Sequence, residues 1–294
     1  MLVDAHCHLS YHCSTTDEQL RSGHLRCVMS TNHSDWQVLK RMKADGIKKS
    51  FGVHPWYSHL FTLEHIDKSS HYNQVLEWKD PDEFNAIVEV LPDPIHLDTY
   101  IAQEYDSQLV TIIGEIGLDK LFRLPKITGF YIEGGGPLSR IRVKMSHQVA
   151  VFRRFCQLAR HYGKPVSIHG VKCHGLLYDV CHEELMPHNV KICLHSVTAS
   201  LDTLQIWIKE YGRSVFFSLS KWINFKDPNE GKNLVKMLPL KCILTETDFP
   251  IDKSNDDELA DQLSYICDQI GSALDETADV YQLVYANFCR FIEY

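Results

Sequence analysis

Residues 2–9 of the chain read LVDAHCHL, a short apolar run that ends in two histidines one residue apart. Successive side chains of a strand alternate between its two faces, so His6 and His8 are predicted to point to one side and Cys7 to the other. Two imidazoles on one face make half of a metal site. An apolar run that ends in a ligand-type side chain recurs in VTIIGEIG (110–117), KPVSIHG (164–170), VKICLHSV (190–197) and KCILTETD (241–248).

Eight apolar runs have the length and composition of buried strands, and segments with helical spacing lie between them. The predicted strands are Leu2–Ala5, Cys27–Ser30, Ser50–Val53, Val110–Glu115, Pro165–His169, Lys191–His195, Ser214–Ser218 and Cys242–Glu246. The predicted helices include Val149–Tyr162, Leu201–Tyr211 and Leu259–Leu274. Gly163 and Gly212 stand where two of them are expected to end. The alternation predicts an α/β fold, a (β/α)8 barrel of the TIM type, whose strand ends bring the ligand-type side chains to one mouth.

Length and composition limit the classes of protein that fit. The chain has 294 residues, of which 44% are hydrophobic, and it contains no repeat or linker, so a single domain over residues 1–294 is predicted. The net charge of −8 argues against nonspecific polyanion binding but is compatible with a phosphate substrate held by metal ions. Without an apparent membrane span or signal peptide, an intracellular protein of the cytoplasm, the nucleus or both is expected, with reduced cysteines.

Two connections are longer than a minimal barrel requires. Residues Ser58–Gln108, between the third and fourth strands, contain apolar patches interrupted by prolines and are predicted to form an elaborated helical crossover. Residues Lys120–Arg142 follow the fourth strand at the end where barrel enzymes hold their active sites, and they include the run Gly134-Gly135-Gly136-Pro137. We interpret this second segment as a candidate lid, whose basic residues either follow a nucleic-acid backbone or form a solvated loop.

Six motifs occur in the order VDAHCHL, GVHPW, GEIGLD, SIHG, LHSVT and LTETDFP. As a set they resemble the TatD-type metal-dependent deoxyribonucleases of the metallo-dependent hydrolase superfamily, over almost the whole chain. The sequence is similar in particular to a fungal branch that includes proteins described as interacting with a subunit of the anaphase-promoting complex. The resemblance implies a metal-dependent hydrolase that cleaves DNA, from an end in the simplest case, and a protein partner in a cell-cycle complex.

The resemblance further implies two divalent metal ions held by six side chains at strand ends. The implied ligands are His6, His8 and Asp248 for one ion and His169 and His195 for the other, with Glu115 as the bridge. Imidazole and carboxylate suit zinc, manganese or iron, whereas magnesium prefers more oxygen ligands, so the choice among Mg²⁺, Mn²⁺ and Zn²⁺ stays open. Glu115 and Asp248 are the candidate catalytic residues, and Asp248 is the candidate acceptor of the proton of the attacking water.

Two further residues each allow two interpretations. His54 in GVHPW either contacts a substrate phosphate, as the matching family residue is thought to do, or caps the turn before Pro55. Glu246 stands two residues before Asp248 and therefore on the same face of its strand. There it either orients a ligand histidine or bonds to the backbone.

Candidate substrate contacts depart from the family pattern. Lys120 follows GLD where an aromatic residue is usual, and Lys172 ends a Gly-Val-Lys stretch after the fifth strand where many members carry an arginine. We retain both lysines, with His54, as candidate substrate contacts. Trp56, Tyr57 and Trp222 follow predicted strands at the same end of the barrel, where they either stack on a base or pack against the protein.

Three functions are compatible with this sequence. The first is a deoxyribonuclease that uses two metal ions and Asp248 as the base. The second is a hydrolase of another phosphate ester or amide with the same centre, which a substrate screen would distinguish. The third is a partner-binding protein that retains the metal site.

Overall fold

An eight-stranded parallel sheet forms the centre of the molecule. The computed structural model describes residues 1–17, 20, 22–134, 136–274 and 279–293. The sheet contains β1 (Val3–Cys7), β2 (Leu25–Val28), β3 (Ile47–Phe51), β4 (Ile112–Asp119), β5 (Val166–Val171), β6 (Ile192–Leu194), β7 (Val215–Ser220) and β8 (Ile243–Glu246). Neighbours in sequence are neighbours in the sheet, and each of these pairs is parallel.

The first and last strands close this sheet into a barrel. Just beyond β8, the backbone N–H of Asp248 donates to the His6 carbonyl at 3.0 Å. The N–H of His8 donates to Phe249 at 2.9 Å, and the N–H of Ile251 donates to His8 at 2.9 Å. The predicted (β/α)8 barrel is therefore confirmed, and the two ends of the chain meet where the candidate ligands lie.

All eight predicted strands are present, although their ends differ by up to four residues. The largest difference is in β4, which continues past Glu115 to Asp119 because it pairs with β5 as far as Val171. β1 likewise continues to Cys7, so that His6 lies within the strand rather than beyond it. The prediction placed these ends too early because it stopped at the first ligand-type residue.

Helices surround the barrel. They are α1 (His33–Leu39), α2 (Lys68–Val75), α3 (Pro81–Val90), α4 (Leu97–Glu104), α5 (Met145–Tyr162), α6 (His174–Glu184), α7 (Leu201–Tyr211), α8 (Pro228–Met237), α9 (Asp256–Leu274) and α10 (Val280–Ile292). The three predicted helices correspond to α5, α7 and α9. Gly163, with φ of 65°, and Gly212, with φ of 55°, follow the last residues of α5 and α7, because glycine adopts positive φ readily.

The predicted helical crossover contains α2, α3 and α4. Asp80 begins α3 by accepting hydrogen bonds from the backbone N–H groups of Asp82 and Glu83, and Pro81 occupies the first helical position. A two-residue strand, Leu76–Glu77, pairs antiparallel with Arg142–Val143 at the end of the candidate lid. The crossover therefore anchors the lid segment.

The candidate lid forms an irregular segment that packs against this crossover. The His59 ring donates from Nε2 to the Gly129 carbonyl at 3.0 Å, and Lys126 forms an ion pair of 3.3 Å with Glu83. Gly134 and Gly136 have φ values of 77° and 82°, whereas Gly135 lies outside the described residues. The segment reaches the mouth of the barrel from one side.

Both faces of the barrel strands are covered. All eight residues of β4 are buried, as are all five of β1 and all six of β7, which explains why the strands read as continuous apolar runs. The ten cysteines are free, and most are buried. Within the described ranges, no helix is both long and apolar enough to cross a membrane.

Candidate metal centre

The ends of five barrel strands bring the six candidate ligands into one cluster. His6 lies in β1 and His8 directly follows it, Glu115 lies in β4, His169 lies in β5, His195 directly follows β6, and Asp248 follows β8 by two residues. Parallel strands place their C-terminal ends at the same mouth, which explains why residues far apart in sequence meet here.

Glu115 lies at the centre of this cluster. Its Oε1 is 2.8 Å from His195 Nε2 and 3.0 Å from His169 Nδ1. Its Oε2 is 3.3 Å from His6 Nε2 and 3.5 Å from His8 Nε2. Each carboxylate oxygen therefore faces a different pair of histidines. Burial raises the pKa of Glu115, but the surrounding histidines outweigh it and hold this pKa well below its usual value.

Asp248 borders the same cluster on its open side. Its Oδ1 lies 3.1 Å from His8 Nε2 and 3.9 Å from His6 Nε2, and about a third of its side chain, 31%, is exposed. Its φ of 60° is left-handed, a conformation that aspartate tolerates better than most residues. Burial raises the pKa of Asp248, but the hydrogen bond to His8 and the charge of His195 lower it to about 2.

The outer ring nitrogens of three candidate ligands face polar side chains. His6 Nδ1 is 2.8 Å from Ser167 Oγ, and His195 Nδ1 is 3.5 Å from Glu246 Oε1. Glu246 is fully buried and also accepts a hydrogen bond from the Ser196 hydroxyl, so its position supports the histidine-orienting interpretation over a backbone contact.

Asp119 faces the outer ring nitrogen of His169 in the same way, and the sequence analysis did not predict it. Its Oδ2 lies 3.5 Å from His169 Nε2 and accepts a hydrogen bond from the Trp56 indole at 2.7 Å. Burial raises the pKa of Asp119, but the contacts with His169 and Trp56 lower it to below its usual value. Asp119 is the last residue of the GEIGLD motif, four residues after Glu115, and this position could have indicated its role.

His54 caps the turn before Pro55, as one of its two interpretations predicts, whereas its contact with a substrate phosphate stays a prediction. Its Nδ1 accepts a hydrogen bond of 3.1 Å from the backbone N–H of Trp56 and so caps the 3₁₀ turn Pro55–Leu60, while its Nε2 lies 3.3 Å from Glu115 Oε1. Burial lowers the pKa of His54 to about 4, so the ring is neutral near pH 7. Because Nδ1 accepts, the proton of the neutral ring is on Nε2, which makes His54 a hydrogen-bond donor into the cavity.

Gly117 permits the close approach of β4 and β5 beside this cluster. Its φ is 143°, and a Cβ atom there would lie 2.0 Å from the His169 carbonyl oxygen. No side chain fits in that space, so the glycine is required for the observed distance between Glu115 and His169.

The cluster forms the floor of a cavity of about 290 Å³, close to the lower limit of roughly 300 Å³ for small-molecule sites. Five of the six candidate ligands line it, and His6 is buried beneath them. The remaining lining residues are Leu9, Tyr11, Thr31, Asn32, Asp35, His54, Trp56, Tyr57, Tyr131, Glu133 and Pro250.

Of the candidate lysines and aromatic residues, only Trp56 and Tyr57 line the cavity. Lys120 and Lys172 are exposed, and neither lines the cavity. Trp56 stacks on Phe122 at 5.1 Å and is held by Asp119, which favours the packing interpretation for this residue, whereas Trp222 is 54% exposed outside the cavity.

The chemistry of the donor set fits divalent metal ions. Three groups have potential ligand atoms within 4.8 Å of one another: His6, His8 and Asp248; His6, Glu115 and His195; and His54, Glu115 and His169. Nitrogen and oxygen donors of this kind suit first-row transition metals, and the carboxylates also suit magnesium.

A barrel with such a cluster at its mouth has the architecture of the metal-dependent hydrolases. The family model described as TatD related DNase matches residues 3–293. This chain belongs to that family, whose members depend on metal.

Relatives agree with this assignment. The chain is 52% identical over 311 aligned residues to an uncharacterized deoxyribonuclease of Saccharomyces cerevisiae, with 99% of each chain covered. It is 30% identical over 302 residues to the Cut9-interacting protein scn1 of Schizosaccharomyces pombe, with 84% of this chain and 86% of that protein covered. The crystal structure of the TatD homologue YjjV from Escherichia coli matches the fold with a TM-score of 0.64 and 17% identity, over 97% of this chain and 95% of that one.

Proposed function

We propose that this protein is a divalent-metal-dependent deoxyribonuclease that hydrolyses DNA phosphodiesters from an end. The observation that carries the proposal is the position of Glu115, whose two oxygens face two different histidine pairs beneath one open cavity. Membership of the TatD-related DNase family supports DNA as the substrate class. The description of the S. cerevisiae relative as a deoxyribonuclease agrees with this choice.

The cluster would hold two divalent ions, and Glu115 would contribute a ligand to each. We assign His6, His8 and Asp248 to one ion and His169 and His195 to the other. Mg²⁺, Mn²⁺ and Zn²⁺ are the candidates, because the donors combine imidazole nitrogen with carboxylate oxygen. When bound, such ions activate water and stabilise the charge that develops on a phosphodiester.

The side chains of this protein perform the other steps. Asp248, ionised and partly exposed, accepts the proton of the attacking water. The neutral His54 donates a hydrogen bond from its Nε2–H group to a phosphate oxygen in exchange for its present contact with Glu115. Lys120 and Lys172 are exposed cations at the ends of β4 and β5, where they can contact the DNA strand beyond the cavity.

The test is hydrolysis of single- and double-stranded DNA by the metal-free protein and after addition of Mg²⁺, Mn²⁺ or Zn²⁺. The wild type should release nucleotides only with metal, whereas Glu115→Ala and Asp248→Asn should lose this activity while retaining the circular dichroism of the wild type. Glu89→Ala, on the exposed surface of α3, is the matched control. A metal-loaded wild type that leaves DNA intact would contradict the proposal, and a screen of other phosphate esters and amides would then identify the substrate.

We further propose a protein partner in a cell-cycle complex, with the protein in the cytoplasm, the nucleus or both. The support is the 30% identity to the Cut9-interacting protein. An exposed apolar pair at the mouth, Trp222 and Ile223, at 54% and 48% exposure, offers a contact surface. Purified chain and a purified Cut9 homologue should co-elute in size exclusion, and Trp222→Ala should weaken this complex. Separate elution of the two wild-type proteins would contradict the proposal.

A further inference from the structure

The cavity has two chemically different walls. The candidate ligands form one wall, and residues from two irregular segments form the other. Tyr131 and Glu133 come from the candidate lid, and Tyr11 comes from the segment after β1. Nothing in the proposed metal chemistry requires these three side chains.

The second wall is held by specific contacts. The Tyr57 hydroxyl donates to the Tyr131 carbonyl at 3.0 Å, and the Tyr131 ring lies 4.9 Å from that of Trp56. The backbone N–H of Tyr11 donates to Glu133 Oε1 at 3.4 Å. Tyr131 nevertheless remains 36% exposed, so one part of its ring is available to a ligand in the cavity.

The two walls suit different parts of a nucleotide, one the charged phosphate and the other the uncharged nucleoside. The wall of candidate ligands, here called the metal wall, would attract a phosphate once it held divalent ions, whereas the carboxylate of Glu133 repels one. A tyrosine ring offers a stacking surface for a nucleobase, and its affinity for different bases is similar because every base has a π face. A nucleotide therefore fits in one orientation, with its scissile phosphate on the metal wall and its nucleoside against Tyr131.

We propose that Tyr131 and Glu133 form a subsite for the terminal nucleoside of a DNA strand, and that Glu133 selects ends that carry a free hydroxyl group over ends that carry a phosphate. This inference rests on the proposed deoxyribonuclease function. A strand that continued past the subsite would bring its next phosphate toward Glu133. The same repulsion therefore disfavours internal cleavage and explains why the enzyme acts from an end.

The first test removes the terminal base, the Tyr131 ring, or both. The substrates are single-stranded oligonucleotides whose terminal nucleotide, at the end that is attacked, is either natural or abasic. Wild type should show a kcat/KM about five-fold or more higher for the natural end, the lower range expected for one stacked base. Tyr131→Ala should abolish this preference, and Tyr131→Phe should keep it.

Tyr162→Ala is the matched control, because Tyr162 is 44% exposed at the end of α5, on the opposite side of the barrel from the mouth. It should behave as the wild type. Equal rates of wild type on natural and abasic ends would overturn the stacking subsite. A wild type that cleaves neither oligonucleotide with any metal would instead overturn the proposed function, and this inference with it.

The second test concerns Glu133. A phosphate at the attacked end should lower kcat/KM of the wild type about five-fold, the effect of one like-charge contact in water. Glu133→Gln should reduce this difference, so that the ratio of kcat/KM on hydroxyl ends to kcat/KM on phosphate ends falls toward one. A wild type that is indifferent to the terminal phosphate, or a Glu133→Gln variant with the full difference, would overturn the selection by Glu133.

Discussion

Glu246 contributes to this centre by orienting a candidate ligand, His195. It is fully buried, its Oε1 lies 3.5 Å from His195 Nδ1, and Ser196 donates to it. A buried carboxylate in this position fixes the ring orientation of the histidine and increases its basicity.

Replacement of Glu246 should therefore weaken metal binding more than folding. Glu246→Gln retains the shape of the side chain but loses its charge, and we expect a 10–100-fold loss, in order of magnitude, of metal affinity. Isothermal titration with Mn²⁺ or Zn²⁺ measures this loss. An unchanged affinity in a folded variant would show that Glu246 only supports the backbone near Ser196.

The sequence revealed the ligand-type side chains that follow apolar runs, but it did not reveal Asp119, which ends β4, or the side chains of irregular segments. The candidate ligands follow apolar runs, so the strand period predicts their common face. Tyr131 and Glu133 belong to an irregular segment without periodicity, and contacts such as Tyr57 to Tyr131 determine their position. Such tertiary contacts leave no local pattern in the sequence.

Among the elements, the β4–β5 pair carries two of the six candidate ligands at a separation that depends on Gly117. Because a Cβ at this position would lie 2.0 Å from the His169 carbonyl, Gly117→Ala should force the strands apart. We expect a loss of stability well above about 1 kcal/mol, the usual cost of left-handed alanine, together with a loss of activity.

Gly163→Ala provides the matched comparison, because Gly163 also has positive φ, 65°, but a Cβ there meets nothing within 4 Å. It should cost only about 1 kcal/mol and leave activity intact. Urea unfolding and DNA hydrolysis of both variants check the difference. Equal effects of the two substitutions would contradict the steric role of Gly117.

Three buried histidines hold the 3₁₀ turn Pro55–Leu60, which follows His54. His71 donates to the carbonyl of His59, His147 donates to that of Ser58, and His59 itself donates to Gly129 in the candidate lid. Burial lowers the pKa of His59 to about 3 and that of His147 to about 4, and it also lowers the pKa of His71.

These depressed pKa values predict acid sensitivity. In the unfolded chain each histidine binds a proton below about pH 6.5, whereas the folded protein resists protonation. The stability is therefore present above pH 6.5 and is lost as the pH falls toward the folded values, by about 2 kcal/mol at pH 5 for each of His59 and His147. His59→Gln should reduce this pH dependence in urea unfolding at pH 7.5 and 5. An identical pH dependence in both proteins would exclude His59 as a cause.

Regular elements followed from the sequence more closely than irregular ones. α7 has the predicted bounds because Gly212 ends it, and Ser200 begins it by accepting from the N–H of Thr203. β4 was predicted too short, because its pairing with β5 beyond Glu115 depends on a neighbouring strand that the local pattern does not contain. Local signals thus predicted where α5 and α7 end, whereas α5 and α9 begin earlier than predicted, at Met145 and Asp256, and strand ends depended on partners.

Across the whole molecule, contacts between the first strand and the segment after the last strand close the barrel. β1 meets the segment after β8, and Asn287 of α10 donates to the carbonyls of Leu240 and Ile243, both at 2.8 Å. Eight strands in sequence order made the barrel predictable, while the exact closing contacts required the structure.

We propose on this basis that residues 1–294 form one cooperative domain. Unfolding in urea should give coincident transitions by tryptophan fluorescence and by far-ultraviolet circular dichroism. Asn287→Ala should shift both transitions equally, since it disconnects α10 from β8. Two separated transitions in the wild type would contradict a single domain.

The central claim is that this protein hydrolyses DNA only when its candidate metal centre is loaded, and that Glu115 would hold the metal for both halves of that centre. The most direct test measures the rate of nucleotide release from single-stranded DNA while metal-free protein is loaded with zero to three equivalents of Mn²⁺. The rate should stay low up to one equivalent, rise between one and two and then level off, and Glu115→Gln should remain inactive throughout. Full activity at one equivalent, or none at two, would contradict the account.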